Sequence, residues 1–216
     1  MKIVLFGATG NVGGRVAAEA LRRGHEIVGV VRDPAAVAGS ESGARLVKGD
    51  ATKAESIAKL VQDADAVVSA ISPRPNARGL AAPSLVENAR AMIAGLRRTG
   101  VKRVLFVGGA GSLEVAPGQQ LVDQPGFPEA YKAEALEGRA ALEVWRTEGD
   151  GLDWTFLSPA AEIGPGERTG SYRTTGDQLL SNAAGRSFIT FEDYAVAVLD
   201  ELERPRHVGR RFGVAY

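Results

Sequence analysis

A short, largely apolar run, Lys2-Ile3-Val4-Leu5-Phe6, stops at Gly7-Ala8-Thr9-Gly10-Asn11-Val12-Gly13. An apolar run of that length bounded by glycine is the pattern of a parallel strand covered on both faces by helices. Beyond the glycines, Val12, Val16, Ala17, Ala20 and Leu21 recur at helical spacing, and Gly24 closes the segment as a C-terminal cap. Strand, glycine turn and helix in this order constrain the fold more than any other feature of the chain. Glycines at 7, 10 and 13 let the backbone turn tightly and let a pyrophosphate approach without Cβ atoms in the way. They also present helix N-terminal amides to its charge. Gly7, Thr9, Gly10, Asn11, Val12 and Gly13 are therefore the expected contacts of a dinucleotide.

The alternation continues. Residues 26–31, 45–47, 65–70, 103–107 and 152–157 read as strands two to six, separated by helix-length segments. In the last of these, Trp154 and Phe156 fall on alternate faces from Thr155 and Leu157. Residues 130–148 read as a long helix. Thr52-Lys53-Ala54-Glu55 and Ser84-Leu85-Val86-Glu87 fit the capping box and are expected to open the third and fourth crossovers. The C-terminal pattern is less regular, with a short edge strand at 187–189 and a cap at Thr190-Phe191-Glu192-Asp193. A helical stripe of Phe191, Tyr194, Ala195, Val198, Leu199 and Leu202 follows, then a last strand at 210–214.

With right-handed crossovers, this order implies a Rossmann-type, doubly wound α/β fold. Its sheet is mainly parallel, helices cover both faces, and a small irregular region forms the C-terminal substrate side. One domain over 1–216 is expected. Ligands of such sheets bind outside the carboxyl ends of the strands, at the point where strand order reverses. The stretches at about 108–128 and 158–190 are long and rich in Gly and Pro, and are the expected substrate-side loops.

Lys plus Arg and Asp plus Glu each total 26, so the chain carries no formal net charge. That removes the electrostatic case for nucleic acid or membrane. A small-molecule acceptor is the expected partner, and a homodimer is left open. The absence of cysteine excludes disulfides, thiolate metal sites and cysteine nucleophiles, and no metal site is expected. The N-terminal apolar run is too short for a signal-peptide core or a membrane span, so a cytoplasmic location is expected. His25 follows Arg22, Arg23 and Gly24 and is expected at the negative end of a helix dipole, and His207 is given no chemistry.

In an NAD-selective site, an acidic residue about 20 positions beyond the glycines binds the adenosine ribose. This chain has Val30-Val31-Arg32-Asp33-Pro34 there. A guanidinium at Arg32 can pair bidentately with a 2′-phosphate and stack on adenine, so NADP(H) is preferred, while an inward turn of Asp33 would admit NAD(H). Asp50, followed by Ala51, either receives the adenine amino group or is an ordinary turn residue. Ser69, Ala70 and Ile71 end the fourth strand, where such folds pass the nicotinamide ribose.

With Gly-Ala-Thr-Gly-Asn-Val-Gly at 7–13, Val31-Arg32-Asp33-Pro34 and Gly49-Asp50, the chain resembles the atypical short-chain dehydrogenase/reductases of the NAD(P)H-binding, NmrA-like group. The G-x-x-G-x-x-G spacing is like that of the extended short-chain enzymes. Phe127-Pro128-Glu129-Ala130-Tyr131-Lys132, the stretch 152–160 and Gly176-Asp177-Gln178-Leu179-Leu180 look like the NADH-flavin reductases of that group. The resemblance covers nearly the whole chain, and its C-terminal motifs mark a subfamily without fixing a substrate.

Members with carbonyl chemistry use a Tyr-x-x-x-Lys pair one helical turn apart, the lysine lowering the tyrosine pKa. Here Tyr131 is followed four residues later by Ala135, the lysine stands at Lys132, and none of Tyr172, Tyr194 or Tyr216 has a lysine four positions on. A flavin needs no such acid, because hydride passes straight to its ring and solvent balances the proton. The resemblance thus implies an NAD(P)H-dependent oxidoreductase acting on a flavin, as substrate and not as tightly bound cofactor, or on a similar flat conjugated acceptor.

Its implied reaction chamber is formed by Gly108, Gly109 and Ser112, by Tyr131 and Lys132, and by Ser158, Pro159 and Ala160. Tyr131, Lys132 and Ser112 are the catalytic candidates. Lys132 is either a phosphate contact or a solvated charge, Tyr131 either a substrate contact or a packing aromatic, and Ser112 a turn residue before it is a proton donor. The alternative is a non-catalytic NmrA-like NAD(P) redox sensor that associates with another protein. A third option, an isomerase or dehydratase using bound NAD transiently, requires a buried acid/base pair that the sequence does not display.

Overall fold

The computed structural model describes residues 1–35, 43–73 and 83–216. The first half of the chain runs β1 (Lys2–Phe6), α1 (Asn11–Arg22), β2 (Glu26–Val31), β3 (Arg45–Lys48), α2 (Ala54–Val61), β4 (Ala66–Ser69), α3 (Leu85–Leu96) and β5 (Arg103–Val107). It continues through β6 (Glu114–Ala116), β7 (Gln119–Gln120), α4 (Glu129–Glu148), β8 (Asp153–Ser158), β9 (Glu162–Gly164) and β10 (Arg173–Thr175). β11 (Phe188–Thr190), α5 (Phe191–Glu203) and β12 (Arg210–Ala215) complete it.

Eight strands form one sheet in the order β10-β12-β8-β5-β4-β1-β2-β3. Only the outermost pair, β10 with β12, is antiparallel. Strand order reverses between β1 and β4, because β1 leads to β2 and β3 on one side before the chain returns to β4 on the other. The expected Rossmann-type doubly wound architecture is therefore present.

Alternation along the strands builds a core on each face. In β1, Val4 and Phe6 pack on one face while Ile3 and Leu5 pack on the other, all at most 1% exposed. Val16, Ala17 and Ala20 of α1 meet Tyr194, Ala195 and Val198 of α5 on the Ile3–Leu5 side. Ile57, Met92, Leu96, Leu142 and Trp145 of α2, α3 and α4 cover the opposite side. There Phe106 stacks on Phe156 at 5.6 Å between centroids and tilts against Trp145 at 5.7 Å. Each such side chain stabilises the fold by about 1.5–3 kcal/mol relative to exposure.

Charge fastens the α1–α5 side. The Glu19 side chain is 4% exposed and accepts hydrogen bonds from Arg22, Arg23 and Arg168. Burial pushes its pKa up, but the three guanidiniums more than offset this and hold the carboxyl well below the usual range. Arg23 reaches on to Asp200 and Glu203 of α5, each at 2.8 Å. Gly24, at φ +78°, ends α1, and the His25 amide donates back to Ala20 O at 3.0 Å. His25 itself pairs with Glu203 at 2.8 Å.

The expectations differ from the structure in two places. Lys53, without a side-chain bond, precedes α2, and the Thr52 hydroxyl instead donates to Asp50 Oδ1 at 2.7 Å, so the capping box expected at Thr52 is not formed. Ser84 does cap α3, its Oγ accepting from the Glu87 amide at 3.3 Å, while a second carboxylate, Glu137, binds the Ser84 hydroxyl and the Leu85 amide. The strand expected at 187–189 is β11, which pairs with β9 outside the main sheet; the true edge is β10. Much of the crossover expected between β2 and β3 falls on residues 36–42, outside the described residues.

Candidate functional site

At the reversal point, Gly7 leaves β1 at φ +86° beside the end of β4. A Cβ on Gly7 would lie 2.5 Å from Ala70 O, and one on Gly13 would lie 2.0 Å from Gly7 O. These two glycines are required for the turn to close at all. Gly10 differs, because its nearest neighbour to a Cβ would be Gly7 O at 3.4 Å and the residue is exposed together with Thr9 and Asn11. Its amide donates to Gly7 O at 3.0 Å and its carbonyl accepts from Gly14 at 2.8 Å. As the N-cap it offers no side chain, so the first helical amides, of Asn11, Val12 and Gly13, have neither an intrahelical nor a capping partner. The result is a backbone cradle with donors and a helix dipole at its rim and an open crest at Gly10, a fit for a pyrophosphate.

On the β2–β3 side, Arg32 and Asp33 are exposed beyond β2. Asp33 Oδ1 accepts from the Ala35 amide at 3.2 Å, which ties this carboxylate to its own loop. Asp50 Oδ1 accepts from the Thr52 amide at 2.9 Å and the Thr52 hydroxyl at 2.7 Å, and its own amide donates to Ser56 Oγ. Asp50 is therefore a turn residue in this structure. Burial raises its pKa, and the Thr52 bonds with the charges of Lys53 and Arg32 lower it to below the ordinary value. The charges of Arg32 and Lys53 thus both act on the Asp50 carboxylate; the sequence reading missed Lys53 because it was counted as part of a capping box.

Ala51 is 8% exposed, and its carbonyl accepts from Asn88 Nδ2 at 2.7 Å. Asn88 Oδ1 in turn accepts from Ser69 Oγ at 2.7 Å, and both side chains are fully buried. Ser69 consequently faces the core, and the backbone of Ala70 and Ile71 borders Gly7. Asn88 escaped the sequence reading, although an amide in an otherwise apolar helix stripe is a signal of a buried polar link.

Gly108 continues β5, its amide donating to Leu157 O at 2.8 Å; a Cβ there would sit 1.9 Å from the Phe156 ring. Gly109 has no atom within 4 Å of where a Cβ would be. Alongside lie Ser158, Pro159 and Ala160 at the end of β8, all buried. Ser158 Oγ has no hydrogen-bond partner among the described residues. A buried hydroxyl of this kind is a polar group in need of a partner.

The three catalytic candidates separate. Tyr131, 50% exposed, and Lys132, also exposed, stand on the first turn of α4. Ser112 is 3% exposed and its Oγ accepts from Arg211 Nη1 at 3.1 Å, so an arginine holds it beneath the surface. Ala135, where a Tyr-x-x-x-Lys lysine would stand, is 9% exposed. A Cβ on Gly111 would come within 2.6 Å of Ala135 Cβ.

A model of the NAD(P)H-binding family matches residues 7–205. Three solved structures are similar over the whole chain. One from Burkholderia pseudomallei, described as a candidate exported protein, is 46% identical at a TM-score of 0.89, with 100% of both chains covered. One from Bacteroides thetaiotaomicron, described as a candidate epimerase, is 37% identical at 0.87, covering 100% of this chain and 96% of that one. One from Streptococcus pneumoniae, described as a candidate NADH-flavin reductase, is 32% identical at 0.85, covering 100% and 99%. Among the described residues, no helix is long and apolar enough to cross a membrane. The glycine cradle at the reversal of a doubly wound sheet, together with these matches, makes the chain a member of the NAD(P)H-binding family, an atypical short-chain dehydrogenase/reductase of the NmrA-like group.

Proposed function

We propose that this protein is an NAD(P)H-dependent oxidoreductase that passes hydride to a flavin or a similar flat conjugated acceptor, with flavin as substrate. The observation that carries this reading is that the position four residues after Tyr131 is held by Ala135, small, 9% exposed and packed against Gly111, and not by the lysine of a carbonyl-reducing pair. Among the described residues, Ser112 Oγ accepts from Arg211, and no lysine hydrogen-bonds Ser112 or Ser158. An acceptor whose reduction needs no enzymic acid suits such a site. The same packing speaks against epimerase chemistry, and the similarity to the Streptococcus pneumoniae protein supports the reductase.

The chain's own residues would divide the work. Amides of Asn11, Val12 and Gly13 take the pyrophosphate charge over the crest of Gly10, with Thr9 beside it. Arg32, with Lys53 near it, takes a 2′-phosphate, which favours NADPH over NADH, and Asp33 is turned into its own loop and away from a ribose. Asp50 and Ala51 shape the adenosine side, Ala70 and Ile71 border the ribose, and Gly108, Gly109, Pro159 and Ala160 flank the nicotinamide end. A bound reduced nicotinamide supplies the hydride. Exposed Tyr131 would offer a planar acceptor a ring to stack on, and Lys132 a cation for its phosphate.

The test follows loss of reduced nicotinamide absorbance with FMN, FAD and a quinone as acceptors. Acceptor-dependent consumption of NADPH, faster than of NADH, is the expected result. Tight cofactor binding without turnover of any acceptor would overturn the enzyme reading in favour of a redox sensor.

A further inference from the structure

One buried cation is unused by the cofactor reading. Arg211 lies on β12 opposite Phe156 of β8, on the sheet face that carries α4, and is 5% exposed. A guanidinium is kept in such surroundings only when its donors are matched. Its Nη1 donates to Ser112 Oγ at 3.1 Å, its Nε donates to Asp177 Oδ1 at 2.8 Å, and Nη2 donates to the same oxygen. Arg146 of α4 adds a further bond to Asp177 Oδ1 at 2.9 Å.

These contacts join the two long loops. The Glu114 amide donates to Asp177 O and the Leu179 amide to Glu114 O, both at 2.8 Å, so residues 177–179 lace onto the chain just after Ser112. Within the first loop, Leu113 donates to Ala110 O and Val122 to Gly111 O, each at 2.9 Å, while Gly111 rests on Ala135. Residues 110–114 are thereby tied to Val122, Ala135 and residues 177–179, whereas Gly109 has no atom within 4 Å of where a Cβ would be.

We infer that Arg211 is a positioning residue, holding Ser112 and Asp177 together so that Gly109 and Ala110 keep a fixed height against the acceptor. This rests on the proposed function in placing the acceptor at the ends of β5 and β8. Arg211 touches neither substrate nor cofactor. Its effect is one of alignment, to which hydride transfer is sensitive because small displacements of the reacting groups cost rate.

The experiment compares the full-length chain with Arg211→Met, Arg211→Lys and Asp177→Asn. Half-exposed Asp177 is the fallback should Arg211→Met fail to fold. NADPH dissociation constants should stay within about twofold, while kcat for flavin reduction falls about tenfold or more in Arg211→Met and Asp177→Asn. Arg211→Lys, which keeps the charge on Asp177, should recover part of that loss. Amide hydrogen exchange over residues 108–113 should quicken in Arg211→Met and Asp177→Asn, with the glycine turn at 7–13 unchanged. Unaltered kcat in a folded variant, or equal loss of NADPH binding, would overturn the inference. If the wild-type chain reduces no acceptor, the proposed function fails separately, and unaltered exchange at 108–113 then overturns this inference on its own.

Discussion

Ala135 of α4 lies against Gly111, so closely that a methyl group on Gly111 would come within 2.6 Å of the Ala135 Cβ. The place of the lysine in a Tyr-x-x-x-Lys pair is therefore taken by a small, nearly buried side chain. Ala135→Lys would restore that spacing after Tyr131 and should destabilise the chain by about 1–3 kcal/mol through overpacking. A thermal melt and an alcohol-oxidation assay check this; a stable variant that gained dehydrogenase activity would show that position 135 has room.

The glycines of the turn should separate by role. Gly10→Val, placed at φ −81° and ψ 171°, keeps an extended backbone that valine accepts and should stay folded while losing affinity for either cofactor. Gly13→Ala drives a methyl into Gly7 O and should cost more than about 4 kcal/mol, unfolding the chain. Circular dichroism with a cofactor titration distinguishes them. Undiminished binding by folded Gly10→Val would refute the proposed pyrophosphate site.

Arg32→Ala should weaken NADPH by about tenfold to a hundredfold, since a hydrogen bond to a charged group contributes about 1.5–3 kcal/mol, and should leave NADH nearly unchanged. Parallel titrations of both cofactors check it. Equal losses would mean that Arg32 does not read the phosphate.

Much of this was legible in the sequence, for reasons that differ by element. Strands such as β1 and β4, buried on both faces, leave apolar runs such as Ile3–Phe6 and Ala66–Val68, and the Gly7–Gly13 turn carries its own geometric necessity. What escaped were features set by partners distant in the chain. Thr52 reads as a cap until Asp50 is seen to claim its hydroxyl, and β10 reads as loop because it is three residues long and held by β12. Ser112 invited a chemical role because nothing near it in sequence announces Arg211, which lies 99 positions away.

Acid should loosen the α1–α5 side through Glu19. Its folded pKa lies below the ordinary 4.5, so its contribution is fully present above about pH 4.5 and is lost as pH falls from there through the folded value. Melting temperature against pH should therefore drop less steeply below pH 4.5 in Glu19→Gln than in the wild type, with the variant the less stable at neutral pH. Parallel curves would remove Glu19 from the account.

The central claim is that the glycine cradle holds a reduced nicotinamide for transfer to a flat acceptor. Its most direct test is an anaerobic single turnover, mixing the preformed NADPH complex with FMN and following nicotinamide oxidation and flavin reduction together. The account predicts that both signals change at one rate and in equal amount, and that Gly10→Val shows neither. A tight NADPH complex that leaves FMN, FAD and quinones unreduced would contradict it.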